Sequence, residues 1–418
     1  MVQEIVARIG RGETPSLEEL ISVFGNSVGL LYEYEKTAQD AFWHGEGTVY
    51  AHTESVLREL YRLIETVMLA PEKRICLVLA ALFHDIAKPL TTREKMLDGT
   101  VRLVSPHHEM TGASYLAFRL IDQGISYPIV FGILQLVMCH AMPRRLVVDG
   151  VEKHGYYTLA RQVDLELLYY LAKADALGRS CPDRDGQVEL IDLFRLFVED
   201  FGLWGKRDLY GNWAEVIRGE LAGYRPEVID YVMGRGIRDF ERGLIYTPHE
   251  AIARSYAHLE RFPELIVVCG ISGSGKSTWA AQLEPEFEMV SQDNLRAKFL
   301  RDKGDQSKNA QVLNAANGRL RECLREKKKI VWDATNLRRD MRERVIRMGQ
   351  EYNALVTQVV FHLSEDRIRA RNASREHAVS KEVLDRQFQR FQWPEVTAAH
   401  RFLVLDGEGR VVRRVGYW

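Results

Sequence analysis

The stretch Leu265-Ile-Val-Val-Cys-Gly-Ile-Ser-Gly-Ser-Gly-Lys-Ser-Thr-Trp279 constrains this chain more than any other. Leu265 to Val268 is an apolar, β-branched run that reads as a buried strand. It leads into Gly270-x-x-x-x-Gly275-Lys276-Ser277 and then into a helix opened by Thr278 and Trp279. Glycines at these places let successive backbone N–H groups turn inward, and the helix behind them adds its positive end, so the turn is an anion cradle. Gly270, Ser272, Gly273, Ser274, Gly275, Lys276, Ser277 and Thr278 are the expected contacts of a nucleoside triphosphate, ATP or another NTP. Lys276 is placed for the β- and γ-phosphates and the Ser277 hydroxyl for Mg²⁺. A Gly/Ser-rich turn that merely happens to carry a lysine is the bland alternative; a strand before it and a helix after it argue against that.

A chain of 418 residues predicts two or three domains, and 46% apolar residues suffice for substantial cores. No window approaches the run of about 18 uncharged apolar residues that a membrane span needs, so no membrane association is expected. The opening Met-Val-Gln-Glu-Ile-Val-Ala-Arg lacks the basic-then-apolar pattern of a signal peptide. Cys76, Cys139, Cys181, Cys269 and Cys323 are scattered and form no CxxC pair, which fits a reducing, cytoplasmic setting. The net charge of −1 divides as +8 over residues 261–418 and −9 over residues 1–260. A basic half suits polyanions and an acidic half can commit carboxylates to metal; uneven solvated surfaces explain the charge equally well.

Residues 1–40 read as a helical lead-in, with Ser16-Leu-Glu-Glu19 as a capping box. After Trp43-His-Gly-Glu-Gly-Thr-Val-Tyr-Ala-His52 comes Ile75-Cys-Leu-Val-Leu-Ala-Ala-Leu-Phe-His84-Asp85-Ile-Ala-Lys88. A His–Asp pair ending so apolar a helix is costly to bury unless it is paired or metal-bound. His107-His108-Glu-Met-Thr-Gly112-Ala113, Met138-Cys139-His140 and Asp175-Ala-Leu-Gly-Arg179 follow, with no β-rich stretch between them. The region therefore reads as an all-α bundle with ligands pointing inward. Singly, each histidine is more readily a surface or satisfied core residue. Together, His52, His84-Asp85, His108, His140 and Asp175 resemble, in order and kind, the HD superfamily of metal-dependent phosphohydrolases.

That resemblance implies that His52, His84, Asp85 and Asp175 hold one divalent cation. His108 and His140 would complete a second site, with Asp85 bridging and catalytic. Imidazole and carboxylate ligands suit Mn, Fe, Co, Ni or Zn without choosing among them. Their chemistry is to make a bound water nucleophilic and to neutralise phosphoryl charge. Lys88, Arg144, Arg145 and Arg179 are candidate phosphate contacts, or else solvated helix ends. His108-Glu-x-x-Gly112 is not a zincin motif, because the second histidine one turn on is missing.

Residues 186–260 read as amphipathic helices with Gly and Pro breaks, a helical extension and connector without a catalytic constellation. Beyond the phosphate loop, Phe287 to Ser291, Lys327 to Trp332 and Ala354 to Leu363 read as further strands, each leading towards a helix. Such alternation predicts a parallel α/β sheet with its ligand at the carboxyl ends of the strands. Asp293 and Arg296, three apart, share a helical face. This half resembles the P-loop polynucleotide 5′-kinases. By that resemblance Asp293 takes the proton of a 5′-OH, a role worth roughly 10²–10⁴ in rate. Arg296 would hold the neighbouring phosphate of the strand. Asp333-Ala-Thr-Asn336 looks like that family's Asp-Thr-Asn strand end with an alanine inserted. Arg371-Asn-Ala-Ser-Arg375 looks like its arginine lid, with Arg375 the favoured catalytic contact.

An HD module ahead of a kinase module is the order of the HD-Pnk end-healing enzymes. The expected organisation is thus an HD bundle over residues 1–185, a connector over 186–260 and an α/β P-loop kinase over 261–418. The resemblance implies a bifunctional cytoplasmic enzyme and a homodimer. One half would phosphorylate 5′-OH ends of RNA or DNA with NTP and Mg²⁺. The other would remove a 3′-phosphate or 2′,3′-cyclic phosphate with its own metal. Two other readings stand beside it: a small-molecule kinase fused to an HD nucleotidase, and a nucleotide-sensing module that controls the HD site.

Overall fold

Pro71 at the first position opens the helix Pro71–Phe83, where its missing N–H costs nothing, and every residue from Ile75 to Phe83 is buried. Burying a Leu, Ile, Val or Phe side chain contributes about 1.5–3 kcal/mol each, so this helix anchors the first unit. It packs against Tyr127–Cys139, Val49–Ile64 and Leu165–Gly178. Each of these has a local reason to start where it does. Thr48 caps Val49–Ile64 by accepting from the Ala51 N–H at 3.2 Å, Asp164 caps Leu165–Gly178, and Pro128 stands in the first turn of Tyr127–Cys139. The expected capping box at Ser16 is present at the head of Leu17–Phe24. In the computed structural model, which describes residues 1–206, 208–299 and 309–416, the chain divides into two compact units, Met1–Leu209 and Tyr210–Trp418.

The first unit departs from the sequence reading in two ways. It is not free of β structure: β1 (Arg93–Leu97) and β2 (Thr100–Val104) form an antiparallel hairpin. Asp98 and Gly99 make its turn with φ of 47° and 77°, the positive-φ pair that matches strand twist in a two-residue hairpin. In addition, Tyr127–Val148 is long and apolar enough by composition to cross a membrane, but 67% of its most apolar window is buried inside the protein. Its apolarity is spent on the helical core.

The second unit is a six-stranded sheet in the order β4-β5-β3-β6-β7-β8. The strands are β3 (Glu264–Cys269), β4 (Glu288–Ser291), β5 (Lys329–Asp333), β6 (Leu355–Phe361), β7 (Arg401–Leu405) and β8 (Val411–Val415). All pairings are parallel except β7 with β8. Because β3 is flanked by β5 and β6, the loop that follows it leaves the interior of the sheet at a carboxyl edge, where α/β folds place their ligands. Asn336, at φ 47°, locks that edge: its Nδ2 donates to Val268 O at 2.6 Å and its Oδ1 accepts from Trp332 Nε1 at 3.2 Å. Of residues 186–260, the helix Arg184–Asp200 packs in the first unit, whereas Gly211–Glu220, Pro226–Glu241 and Pro248–Ser255 belong to the second. Tyr231 stacks on Phe262 at 4.5 Å and Asp230 pairs with Arg401 of β7, which ties these helices to the sheet.

Candidate active sites

In the first unit the predicted ligands meet. His52 stands inside its helix, His84 caps the end of Pro71–Phe83, His108 opens His108–Ala117, His140 follows Tyr127–Cys139, and Asp175 lies in the last turn of Leu165–Gly178. Asp85 is the hub. Its Oδ2 is 3.2 Å from His84 Nε2 and 3.8 Å from His52 Nε2, and its Oδ1 is 3.2 Å from His108 Nε2. His108 Nε2 lies 3.3 Å from His140 Nε2, and His52 Nε2 lies 3.0 Å from Asp175 Oδ1. Two triads result, His52–His84–Asp85 and Asp85–His108–His140, each with ligand atoms within 4.8 Å of one another.

The donor set fits divalent cations. His84, His108 and His140 each turn Nδ1 towards a main-chain oxygen three residues back (Ala81, Ser105, Val137) at 2.8 Å. That bond fixes the tautomer and leaves Nε2 as the free lone pair. Buried His84 Nε2 has no hydrogen bond of acceptable geometry, which is costly for a polar atom unless something else engages it. Burial pushes the Asp85 and Asp175 carboxyls up, but the groups beside them win. His84 and Lys88 hold Asp85 well below the usual carboxylate range, and Arg179 and His52 do the same for Asp175. His140 goes the other way: burial, with His108 and His84 nearby, lowers its pKa and keeps it a neutral imidazole.

A cavity of about 380 Å³ opens over this cluster, lined by Asp85, Lys88, His108, His140, Arg144, Asp175 and Arg179. Two of the cations expected on phosphate are engaged by the candidate ligands themselves. Lys88 Nζ is 2.7 Å from Asp85 Oδ2, and Arg179 forks onto Asp175 at 2.8 and 3.2 Å. Arg144 is exposed and reaches the cavity wall; Arg145 is 60% exposed, lies 4.0 Å from Glu109 and does not. The sequence reading passed over Glu46, which lies 2.8 Å from both His44 Nδ1 and His52 Nδ1.

In the second unit the loop after β3 runs into the helix Lys276–Ala281. Ser272, Gly273, Gly275, Lys276, Ser277, Thr278, Asp293, Arg296, Asp333, Arg371 and Arg375 all line one cavity of about 1200 Å³. Gly270 and Ser274 lie behind the loop rather than on its wall: Ser274 is fully buried, and a Cβ at Gly270 would sit 2.8 Å from Ser274 Oγ. Lys276 Nζ donates to Ile271 O at 2.8 Å, and burial, opposed by Asp333, pushes its pKa down to about 8. Ser277 Oγ donates to Asp333 Oδ2 at 3.2 Å, the hydroxyl–carboxylate pair a Mg²⁺ ion needs. Asp293 and Arg296 pair at 2.5 Å on the wall of the cavity, with the Asp293 side chain 71% exposed.

Two further features of this site carry no short motif. Gln387 grips Ser272 twice: its Oε1 accepts from the Ser272 N–H at 2.8 Å and its Nε2 donates to Ser272 Oγ at 2.9 Å. Asn372 closes the arginine segment by pairing with both the N–H and the carbonyl of Val379, at 3.1 and 2.9 Å. Gly275 can be tested directly. It sits at φ +104°, and a Cβ there would lie 3.0 Å from Gly407 O. Gly275→Ala is expected to destabilise the second unit by about 1–3 kcal/mol and to raise KM for the nucleotide. A thermal melt and an ATP titration would show both, and an unchanged KM would contradict the close fit.

Residues 49–179 match the HD domain and residues 265–394 match the AAA domain. An HD domain precedes a P-loop domain of the AAA type. The HD match spans every histidine and aspartate of the two triads, and the AAA match spans the phosphate loop, Asp293, Asp333 and the arginine segment. An HD domain implies a divalent metal, and a kinase-like P-loop domain implies a nucleotide with Mg²⁺. Among solved structures, a Pnkp1/Rnl/Hen1 complex is 24% identical over 29% of this chain and 43% of that chain, with a TM-score of 0.25. A Pnkp1/Rnl/Hen1 RNA repair complex is 21% identical over 33% of this chain and 46% of that one, with a TM-score of 0.29. A gluconokinase from Sinorhizobium meliloti 1021 is 21% identical over 35% of this chain and 83% of its own, with a TM-score of 0.27. The chain thus spans less than half of the two chains from the complexes. No curated protein matches the sequence.

Proposed function

We propose that the protein heals broken nucleic-acid ends: the P-loop domain phosphorylates a 5′-OH, and the HD domain removes a 3′-phosphate or opens a 2′,3′-cyclic phosphate. What supports this most is the Asp293–Arg296 pair on the wall that also carries Lys276, Ser277 and Arg375. A carboxylate beside a guanidinium, facing the nucleotide loop, is what transfer to a hydroxyl next to a phosphodiester requires. Asp293 takes the hydroxyl proton, Arg296 holds the neighbouring phosphate, and Arg371 and Arg375 neutralise the donor phosphates. The charge of +8 over residues 261–418 suits a polyanionic acceptor.

In the HD domain, His52, His84, Asp85 and Asp175 would hold one cation, and His108 and His140, sharing Asp85, a second. A bound divalent ion supplies there a water acidic enough to act as nucleophile near neutral pH. The chain's own part is to fix the ligands and receive the phosphate. Lys88 and Arg179 hold the carboxylates in place, and Arg144 is the guanidinium we assign to the substrate's phosphate.

The test is to incubate the full chain with 5′-OH oligonucleotides and 3′-phosphate or cyclic-phosphate oligonucleotides, RNA and DNA, in a metal series, with mononucleotides in parallel. Turnover of mononucleotides alone would favour a small-molecule enzyme pair. Nucleotide binding without transfer to any acceptor would favour a sensor. Arg296→Ala should raise KM for an oligonucleotide acceptor by about 10-fold, the scale of one lost charge-assisted hydrogen bond, while KM for ATP stays unchanged. An equal rise in both would remove Arg296 from the acceptor side.

A further inference from the structure

Glu46 lies just ahead of the matched HD segment, in a loop with no catalytic motif. His84, His108 and His140 each have a main-chain oxygen behind Nδ1. His52 has none, because it stands inside the helix Val49–Ile64. Behind its Nδ1 lies Glu46 Oε1 at 2.8 Å, off the line of the ring N–H. The same oxygen accepts from His44 Nδ1 at 2.8 Å, and Oε2 accepts from the Ser180 N–H at 2.9 Å.

Ser180 follows Arg179, whose guanidinium forks onto Asp175, and Asp175 Oδ1 is 3.0 Å from His52 Nε2. One carboxylate therefore joins the helix that carries His52 to the turn that ends the helix carrying Asp175. Gly45 shows independently how closely this junction is built. Its N–H donates to Ser180 O at 2.8 Å, and a Cβ at position 45 would lie only 2.7 Å from that oxygen.

We infer that Glu46 is a positioning residue of the HD metal centre: it fixes His52 in the tautomer that offers Nε2 to a divalent cation and holds His52 and Asp175 on one side of the site. This rests on reading His52, His84, Asp85 and Asp175 as cation ligands. A carboxylate behind a ligating histidine orients the ring and raises its basicity, and its loss typically weakens metal binding by about 10–100-fold.

The experiment uses the full chain, stripped of metal by a chelator and then titrated with Co²⁺, read by its d–d absorption and by equilibrium dialysis. Wild type is compared with Glu46→Gln, Glu46→Ala and, as a control, Glu54→Gln, an exposed position on the helix that carries His52. Glu46→Ala should raise the Co²⁺ Kd by about 10–100-fold and alter the absorption band. Glu46→Gln, which keeps an acceptor but loses the charge, should fall between, and Glu54→Gln should match wild type. Kinase activity should be the same in all four. An unchanged Kd and spectrum in Glu46→Gln would overturn the inference, and that isosteric variant decides if Glu46→Ala fails to fold. Failure of the wild type itself to bind Co²⁺ would instead overturn the ligand reading on which the inference stands.

Discussion

Asp85→Asn is expected to abolish phosphohydrolase activity and to leave 5′-phosphorylation at the wild-type rate. Asp85 is the residue common to both triads, so one substitution removes a charged ligand from each. Metal catalysis of phosphoester hydrolysis supplies several kcal/mol of transition-state stabilisation, and at about 1.4 kcal/mol per tenfold its loss corresponds to roughly 10³-fold or more. Co²⁺ or Mn²⁺ stoichiometry should fall with the activity. Asp85→Ala should also lower the thermal midpoint, because Lys88, only 7% exposed, loses the partner that lies 2.7 Å away, and stranding one member of a buried pair costs about 3–5 kcal/mol. The pH dependence has a definite sign. A carboxyl held below its ordinary value contributes its stability in full above the unfolded carboxyl pKa of about 4 and loses it as pH falls through the depressed folded value. The gap in stability between wild type and Asp85→Ala should thus narrow as pH falls below about 4. A gap that widened in acid would mean that Asp85 is not the depressed group.

Lys276→Ala is expected to produce the mirror image: no kinase, full phosphohydrolase. Lys276 is 8% exposed and its Nζ meets Ile271 O at 2.8 Å. Burial pushes its pKa down to about 8, and a polyphosphate in the cradle would draw it back up, so binding should take up a proton near that pH. Removing the one cation that the loop itself carries should cost on the order of 10³-fold in kcat/KM, the scale of about 4 kcal/mol of charge stabilisation. Lys276→Arg should not restore it, because a planar fork is a poor replacement for a compact ammonium in so enclosed a slot. Labelled ATP with a 5′-OH acceptor reads the first activity and a 3′-phosphate oligonucleotide the second. Loss of both in either variant would argue against two independent sites.

What could be read from the sequence follows from how each chemistry is written in it. A phosphate loop needs contiguous residues, so residues 270–278 declared themselves, and the parallel sheet followed from the strand–helix alternation around them. The candidate HD ligands are separated by up to 123 residues (His52 to Asp175) but are unusual enough in kind and order to be seen. Glu46 was missed because it works through His52 and sits among ordinary loop residues. Gln387 was missed because an amide gripping a backbone N–H leaves no pattern. Lys88 and Arg179 were expected on phosphate, and the structure turns both towards carboxylates; a cation in a sequence does not say which anion it will meet. The hairpin β1–β2 was legible: Asp98-Gly99 flanked by Lys95-Met-Leu and Thr100-Val-Arg-Leu-Val is a turn signal that the run of helices around it concealed.

The paired bonds of Gln387 and Asn372 tie down the arginine segment of the second unit. Gln387 fastens the helix Lys381–Arg390 to the nucleotide loop, and Asn372 fastens the end of the helix Glu365–Ala373 to Val379. Both anchorages of the intervening arch, Ser374–Ala378, are therefore pinned. Arg375 rides on that short arch while Arg371 stays on a helix, so the two guanidiniums differ in reach. One guanidinium is thus carried by a helix and the other by a short tethered loop on the wall of the same cavity.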